Sequence, residues 1–153
     1  VQKNSGKQLK LWPGSCIVHE TFSEEALMKL KFQNPESKII AHPECSQNLL
    51  ILADFIGSTS KLLDFVSKDE SKDFLVLTEP GIIHQMKKKE PYKNFIEVPD
   101  IEGCNCNECP YMKLNTLEKI LNCLLKKSPA IELDPDVIKK AYKPIKRMLD
   151  MSF

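Results

Sequence analysis

Short, continuously apolar runs alternate with amphipathic stretches through most of the chain. The apolar runs predict strands at 9–12, 38–41, 55–57, 74–77 and 94–98. The stretches between them predict helices at 23–33, 46–54, 60–68 and 80–89. Strands that are apolar throughout, rather than at every second position, are typical of a parallel sheet covered on both faces. The pattern therefore predicts an α/β fold, a three-layer α/β/α unit with a short parallel sheet.

The first predicted helix carries a start signal and an apolar stripe. Thr21 is followed three residues later by Glu24, which is the spacing of a capping box, so we expect Thr21 to cap the helix. The stripe that should face the core is made by Ala26, Leu27, Leu30 and Phe32.

After residue 99 the pattern changes to a cysteine-rich loop and a C-terminal helical extension, with helices predicted at 114–126 and 134–150. Asp134 and Pro135 suit the cap and first turn of the second helix, whereas Pro144 is expected to kink or split it. Two helices that follow such a small sheet find little apolar surface in this chain to pack against. We therefore expect them to pack on a part of the protein outside this sequence, and we interpret the chain, which begins without Met, as a piece of a longer or trimmed protein.

Composition and charge exclude several classes of protein. The 153 residues are 42% hydrophobic and 28% charged, which is typical of a soluble globular domain. With a net charge of +1, we expect no nucleic-acid partner, and we interpret the run Lys87–Lys89 as a solvated helix face. No apolar run approaches the roughly 20 residues that span a bilayer, so we expect no membrane partner. Six cysteines without a signal peptide favour reduced thiols in the cytoplasm.

Uncommon polar residues follow every predicted strand. They are Cys16, His19 and Glu20; His42, Glu44 and Cys45; Ser58, Thr59 and Ser60; Thr78 and Glu79; and Cys104, Cys106 and Cys109. The carboxyl ends of parallel strands share one edge of the sheet, and ligands of α/β proteins bind beyond that edge. The sequence therefore predicts one functional site there.

Two of these segments suggest specific chemistry, and each also has a plain structural explanation. His42 and Glu44 flank one proline, so both can point into one cavity, where His42 could protonate a substrate oxygen and Glu44 could move protons. A lone His-x-Glu is nevertheless more often structural. The segment GSTSKLLDFV begins a helix whose free N–H groups could bind a phosphate or carboxylate. The plainer explanation is that Ser58 or Ser60 caps this helix.

The thiols allow several interpretations. The segment EGCNCNECPYMK holds Cys104, Cys106 and Cys109 at a spacing that matches neither a zinc ribbon nor the usual ferredoxin motif. Zinc, a reversible disulfide and an iron–sulfur cluster shared with Cys16 all stay open on the residues alone. Cys45 is ambiguous. Cys123 is interpreted as a small apolar residue on a buried stripe, and His84, on an exposed helix face, has no predicted role.

Five segments together resemble the quinolinate synthase family. They occur in the family's order, over nearly the whole chain: LWPGSCIVHE, HPECS, ADFIGSTS, CPYMKLNTLEKI and KPIKRML. The resemblance implies three α/β domains with pseudo-threefold symmetry around one [4Fe–4S] cluster. The resemblance further implies that each domain gives one cysteine ligand and that the fourth iron stays open to bind substrate as a Lewis acid. The implied reaction condenses iminoaspartate with dihydroxyacetone phosphate to quinolinate, phosphate and water in de novo NAD biosynthesis.

The resemblance also assigns residues. It implies cluster ligands at Cys16, in the pattern CxVHE, and at Cys109, in CPxM. It implies that the following residues bind substrate: His19, His42, Glu44, Ser58, Thr59 and Thr78. Two of them, His42 and Glu44, would also take part in proton transfer. Cys104 and Cys106 would then be accessory thiols.

The resemblance further implies how the chain divides. Residues 1–16 would end the second domain, 17–109 would form the third, and 110–153 would be helices that pack on the first. The third cluster ligand would lie in the N-terminal domains outside this sequence, so we expect this chain alone to be inactive and to hold no stable cluster. A homodimer stays open. The alternative function is a non-catalytic zinc-binding α/β module that uses Cys104, Cys106 and Cys109.

Overall fold

The computed structural model describes residues 5–10, 12–102 and 107–152. The chain divides into two compact units, Val1–Lys113 and Leu114–Phe153. The helices of the first unit are α1 Ile17–Glu20, α2 Glu24–Gln33, α3 Gln47–Leu52, α4 Thr59–Lys68 and α5 Gly81–Lys89. Its strands are β1 Lys38–Ala41, β2 Phe55–Ile56, β3 Asp73–Leu77 and β4 Asn94–Glu97. A 3₁₀ turn at Met112–Leu114 precedes α6 Leu117–Lys126 and α7 Pro135–Asp150.

The four strands form one parallel sheet in the order β2-β1-β3-β4. In the centre, Ile40 of β1 is paired with Val76 of β3. All strand-to-strand connections run through helices, as parallel pairing requires. The predicted parallel sheet is confirmed.

Both faces of this sheet are buried, because successive side chains of a strand point to opposite faces. Ile39 and Ala41 of β1 pack on one side with Leu27 of α2 and Leu49 of α3. On the other side, β1 contributes Ile40 to a cluster that contains the following residues of α4, α5, β3 and β4: Leu62, Val66, Ile83, Met86, Phe74, Val76 and Phe95. Helices therefore cover both faces, which confirms the three layers.

The prediction of a strand at 9–12 is wrong. Residues 9, 10 and 12 are not in a strand, and Leu11 lies outside the described residues. Trp12 is 88% exposed. Burial of its ring therefore contributes little free energy that would hold this segment in an extended form.

The prediction for the start of α2 is also wrong. Ser23, not Thr21, caps the helix and accepts a hydrogen bond from the Ala26 N–H. The Thr21 hydroxyl instead donates to the carbonyl of Val18, because α1 ends just before it. Ser23 is one of the residue types that favour the cap position, and the capping residue therefore lies two positions later than predicted.

Only part of the apolar stripe predicted for α2 faces the core. Leu27 is fully buried, whereas Phe32 is 89% exposed. A helix turns by about 100° per residue, so five residues place Phe32 roughly 140° around the axis from Leu27. Such an angle turns Phe32 away from the sheet.

The second unit consists of two capped helices. The Thr116 hydroxyl accepts from the Lys119 N–H at the start of α6, a few residues later than predicted. Asp134 accepts from two N–H groups of α7, and Pro135 occupies its first turn, as predicted. The helix continues through Pro144 to Asp150, so the predicted split is wrong.

The apolar faces of these two helices stay exposed within the described residues of their unit. Neither α6 nor α7 has a buried residue. The interpretation of Cys123 as part of a buried stripe is therefore wrong for this chain, because its thiol is exposed. No helix in the described ranges has both the length and the apolar character needed to cross a membrane.

Charged side chains fix the end of α4 to the sheet. The Lys38 ammonium of β1 donates to the Asp69 carboxylate, which also accepts from the Ser71 N–H at 2.9 Å. The ammonium of Lys93 donates to the Val66 carbonyl at 2.6 Å and to the Asp69 carbonyl, two of the last acceptors of the helix. The hydrogen bond from Lys38 is the main cause that lowers the pKa of Asp69 from 3.8 to about 2.

We predict that Asp69→Asn lowers the free energy of unfolding at pH 7 by about 1 kcal/mol. A pKa difference of one unit corresponds to about 1.4 kcal/mol, and the partial exposure of Asp69 reduces the contribution of its carboxylate to stability. The pKa of Asp69 is depressed, so the carboxylate stabilises the fold above pH 3.8 and loses this effect as the pH falls through 2. Urea unfolding at several pH values measures this. A difference between variant and wild type that persists undiminished at pH 2 would contradict the assignment.

Candidate functional site

Helix α1 is attached to the carboxyl edge of the sheet by the segment that follows β4. The Ile101 N–H donates to the Thr21 carbonyl at 2.9 Å, and the Ser23 N–H donates to the Pro99 carbonyl at 3.0 Å. Asn107 adds side-chain contacts, donating to the Val98 carbonyl at 2.9 Å and accepting from the Thr21 hydroxyl at 3.3 Å. These bonds position Cys16, at the start of α1, and His19, within it.

His19 is the buried centre of the site. Its side chain contacts Thr78, the first residue after β3, with 3.2 Å between Nε2 and Oγ1. The ring stacks on His42 with 4.2 Å between centroids and 17° between planes. Its other nitrogen, Nδ1, lies 3.3 Å from Oε2 of Glu44. The imidazole is therefore held on three sides by residues that follow β1 and β3.

The turn after β1 presents His42 and Glu44 together. The His42 N–H donates to the Leu77 carbonyl, and the Cys45 N–H donates to the His42 carbonyl, both at 3.0 Å. His42 Nδ1 accepts from the Glu44 N–H at 3.3 Å and lies 3.7 Å from Oε2 of the Glu44 carboxylate. The two side chains therefore lie next to each other on either side of Pro43. The Glu44 side chain is 56% exposed, so it can meet a ligand.

The surroundings of His19 favour its neutral form. Burial is the largest cause that lowers its pKa from 6.5, and the neighbouring His42 lowers it further, while Glu44 and Glu79 oppose the shift. Nδ1 of His19 is buried and, among the described residues, has no hydrogen-bond partner, although Glu44 Oε2 lies 3.3 Å away. In the neutral ring, with Nε2 donating to Thr78, this nitrogen offers a lone pair.

The two thiols closest to this group differ in their chemistry. Cys16 is half-buried, and its Sγ and one donor atom each from His19 and Glu44 all lie within 4.8 Å of one another. Cys16 also lines an open cleft of about 580 Å³ with Gly14, Ser15 and Glu44. Cys45 is buried, its thiol donates to the Leu77 carbonyl, and burial raises its pKa to about 12. Cys45 therefore stays a protonated thiol, whereas Cys16 can serve as a ligand.

Other predicted site residues of the described part of the chain are not bonded to this group. Ser58 and Thr59 follow β2 at the same edge and are exposed. Ser58 occupies the cap position of α4, but its hydroxyl makes no capping hydrogen bond. Cys109 is half-buried. Among the described residues, no hydrogen bond or ion pair joins Ser58, Thr59 or Cys109 to His19, His42 or Glu44.

The predicted zinc ligands Cys104 and Cys106 lie outside the described residues. The structure does describe residues near the site that the sequence did not single out. Asn107, only 6% exposed, links the loop after β4 to Thr21 and Val98. An asparagine between two cysteines carries no recognisable signal of that role, which depends on contacts between distant segments.

Fold and site together define a class of protein. The chain is a parallel α/β protein whose sheet carries a thiol, two imidazoles and a carboxylate at its carboxyl edge, which is where such folds bind their ligands. The family model of NadA, described as quinolinate synthetase A protein, matches residues 1–150. The chain belongs to this family.

Curated relatives named quinolinate synthase are similar to this chain over almost all of its length. The protein of Prochlorococcus marinus strain MIT 9313 is 63% identical, with 99% of this chain and 45% of the relative covered. That of Microcystis aeruginosa is 55% identical, with 99% and 48% covered. That of Cyanophora paradoxa is 51% identical, with 99% and 46% covered. The chain thus spans slightly less than half the length of these relatives.

We predict that His19 titrates below pH 6.5, because burial and His42 lower its pKa. Glu44→Gln should lower the pKa further, since the carboxylate raises it, and His42→Asn should raise it. The folded protein binds this proton less readily than the unfolded chain, so stability should decrease as the pH falls below 6.5. Imidazole carbon–proton NMR spectra recorded across the pH range measure the pKa. A higher pKa in Glu44→Gln would refute the arrangement.

Proposed function

We propose that this chain is the C-terminal portion of a quinolinate synthase that acts in de novo NAD biosynthesis in the cytoplasm. The enzyme would condense iminoaspartate with dihydroxyacetone phosphate and release phosphate and water. The observation that carries the proposal is the meeting of Cys16, His19, His42, Glu44 and Thr78 at one edge of the sheet, within a chain that matches the NadA family over residues 1–150.

The proposal includes a [4Fe–4S] cluster, for which Cys16 and Cys109 are suitable ligands. Such clusters are bound by cysteine thiolates, and both thiols are half-buried and form no disulfide with another described cysteine. Cys45 does not fit, because its pKa is raised to about 12. When bound, the cluster would supply an open iron that acts as a Lewis acid on a substrate oxygen. The third cysteine ligand would come from the N-terminal domains, since the chain spans 45–48% of its relatives.

Within this chain, His42 and Glu44 are the proposed proton-transfer groups. His42 Nδ1 accepts from the Glu44 N–H, so the proton of the neutral ring resides on Nε2, which is then the donor toward a substrate oxygen. The exposed Glu44 carboxylate can accept a proton from a substrate carbon or nitrogen. His19 and Thr78 would hold and orient a substrate beside them, since Thr78 fixes the His19 ring.

Ser58 and Thr59 are the proposed site for a carboxylate or phosphate of the substrate. They begin α4, a helix of ten residues without an acidic residue in its first turn. The Ser58 hydroxyl does not occupy the first N–H groups of the helix, so these groups can donate to an anion. The helix dipole favours a negative charge at this end.

We predict that Cys16→Ala and Cys109→Ala each abolish the cluster in the full-length protein. Iron and sulfide analysis after anaerobic reconstitution, together with the broad sulfur-to-iron absorption, measures its content. Cys123→Ala is the matched control, because this exposed thiol lies on α6, and it should retain full iron content.

The 153-residue chain alone should hold no stable cluster and form no quinolinate under the same reconstitution. Full iron occupancy and turnover by the chain alone would contradict the proposal. A colourless full-length protein that binds zinc and loses it in Cys109→Ala, but not in Cys16→Ala, would support the zinc-binding module instead.

We predict that His42→Asn and Glu44→Gln each lower kcat by roughly 10²- to 10⁴-fold, the usual contribution of a general acid or base. Both variants should keep the iron content of the wild type, because neither residue is a proposed cluster ligand. Steady-state quinolinate formation measures the change, and His84→Asn, on the exposed face of α5, is the control. Wild-type kcat in both site variants would exclude them from proton transfer.

A further inference from the structure

We propose that Asn107 is a positioning residue that holds Cys109 in place for assembly of the cluster. Its side chain attaches the segment just before Cys109 to the end of β4 and to α1. This role rests on the proposed function, in which Cys109 is a cluster ligand, and Asn107 would act through that thiol rather than on the substrate.

The Asn107 side chain is buried and bonded at both ends. Asparagine lies mostly at protein surfaces, yet Asn107 is only 6% exposed. Its Nδ2 donates to the Val98 carbonyl at 2.9 Å, and its Oδ1 accepts from the Thr21 hydroxyl at 3.3 Å. Burial of an amide costs free energy unless its polar atoms are hydrogen-bonded, so these two bonds select one orientation of the side chain.

The acceptor of the shorter bond is itself fixed to the sheet. Val98 is fully buried in the core, and its N–H donates to the Val76 carbonyl of β3 at 3.3 Å. A side chain bonded to the Val98 carbonyl is therefore held against the sheet as well, although Asn107 follows Val98 by nine residues in the sequence.

The attachment restricts Cys109 because only Glu108 separates it from Asn107. Two residues extend the chain by about 7 Å at most, so the Cys109 Cα stays within about 7 Å of the anchored Asn107 Cα. On the other side of the thiol, the Cys109 carbonyl accepts from the Lys113 N–H at 3.1 Å. The Lys113 ammonium also lies 3.0 Å from the Glu108 carboxylate. The segment with Cys109 is therefore held from both sides.

The ion pair and the buried amide hold this segment with different strength. The side chains of Glu108 and Lys113 are 53% and 52% exposed, and exposed ion pairs contribute little to stability. Loss of the buried amide bond is more costly, because the Val98 carbonyl would stay buried without its partner. Asn107 is therefore the stronger of these two constraints on Cys109.

A cleft separates the segment with Cys109 from α1. Ile17 and Pro110 both line this cleft of about 300 Å³, together with Asn107. Ile17 directly follows Cys16, and Pro110 directly follows Cys109. The two segments that carry proposed cluster ligands thus border one cleft. Because the Asn107 side chain bonds to α1 across it, this residue sets how far apart the two segments are.

We predict that Asn107→Ala makes the Cys109 thiol react faster in the full-length protein without its cluster. Loss of one buried hydrogen bond should raise the rate of alkylation by iodoacetamide about 3- to 10-fold, because the open form of the segment becomes more populated by that factor. Asn107→Asp keeps the size of the side chain but lacks the donor to Val98, so it should behave like Asn107→Ala. Mass spectrometry of the peptide that contains Cys109, with the alkylated residue located by fragmentation, measures the rates.

Cys16 is the internal reference of this measurement. Without Asn107, α1 keeps the two backbone hydrogen bonds that attach it to the segment after β4, so the rate at Cys16 should stay close to that of the wild type. Asn94→Ala is the matched control, because Asn94 is an exposed asparagine at the amino end of β4. It should leave both rates unchanged.

A second pair of variants tests the contact with α1 while Asn107 is kept. Thr21→Val removes the hydroxyl and should raise the Cys109 rate by about 2-fold, the lower end of the effect of a hydrogen bond. The effect is smaller because this bond is the longer one and the hydroxyl is shared with the Val18 carbonyl. Thr21→Ser should restore the wild-type rate. Circular dichroism checks the fold of each variant, and the Thr21 pair decides the test if Asn107→Ala does not fold.

The content and the spectrum of the cluster are the second readout. After anaerobic reconstitution, Asn107→Ala should contain less iron and sulfide than the wild type. The electron paramagnetic resonance spectrum of its reduced cluster should also differ, because the surroundings of the ligands tune the electronic state of the irons. Asn94→Ala should retain both the content and the spectrum of the wild type.

Three results for Asn107→Ala would overturn the proposal: an unchanged rate at Cys109, an equal increase at Cys16 and Cys109, or full iron content with an unaltered spectrum. A wild-type protein that holds no iron–sulfur cluster would refute the proposed function instead. The alkylation rates would then still show whether Asn107 positions Cys109.

Discussion

The hydrogen bond between the His42 N–H and the Leu77 carbonyl underlies the whole site. It continues the pairing of β1 with β3 one residue beyond the strands, where Ala41 is paired with Leu77. Because the strands are parallel, the chain leaves both at the same edge, and the turn with Glu44 comes to lie beside Thr78. The His19 ring then lies between the turn with Glu44 and Thr78. A shift of the register by one residue would move the Thr78 side chain to the other face of the sheet and remove the partner of the buried imidazole.

The regular part of the fold could be predicted because its cause is local. The apolar runs at 38–41 and 74–77 are buried on both faces, so they lack alternation, and the stretches between them have helical periodicity. The errors arise where contacts with other parts of the molecule determine the local structure. LKLW has the composition of a strand, but Trp12 is exposed. Thr21 and Ser23 are both good caps, and the end of α1 determines which one is used. Cys123 lies in an apolar pattern whose face is not buried within its unit.

For the site, the sequence predicted the edge but not the contacts. The rule that parallel strands end together applies to any pair of residues after a strand, so His42 and Thr78 could be assigned to one region. The burial of His19, its stacking on His42 and its contact with Thr78 could not be predicted in this way. They depend on the attachment of α1 through Asn107 and Ile101. The same limit explains Cys45. The sequence left its role ambiguous, whereas the structure shows a buried, protonated thiol that donates a hydrogen bond to the Leu77 carbonyl.

The burial of His19 determines which protonation state of its imidazole the site favours. Burial disfavours the imidazolium, which leaves a neutral nitrogen 3.3 Å from a carboxylate. A neutral imidazole nitrogen and a carboxylate both present lone pairs, so this pair can accept hydrogen bonds from a ligand. Glu44, whose side chain is 56% exposed, can reach a ligand at this edge of the sheet. The carboxylate that would make the turn after β1 useful for proton transfer therefore lies beside a neutral imidazole, and this neutrality follows from the burial of His19.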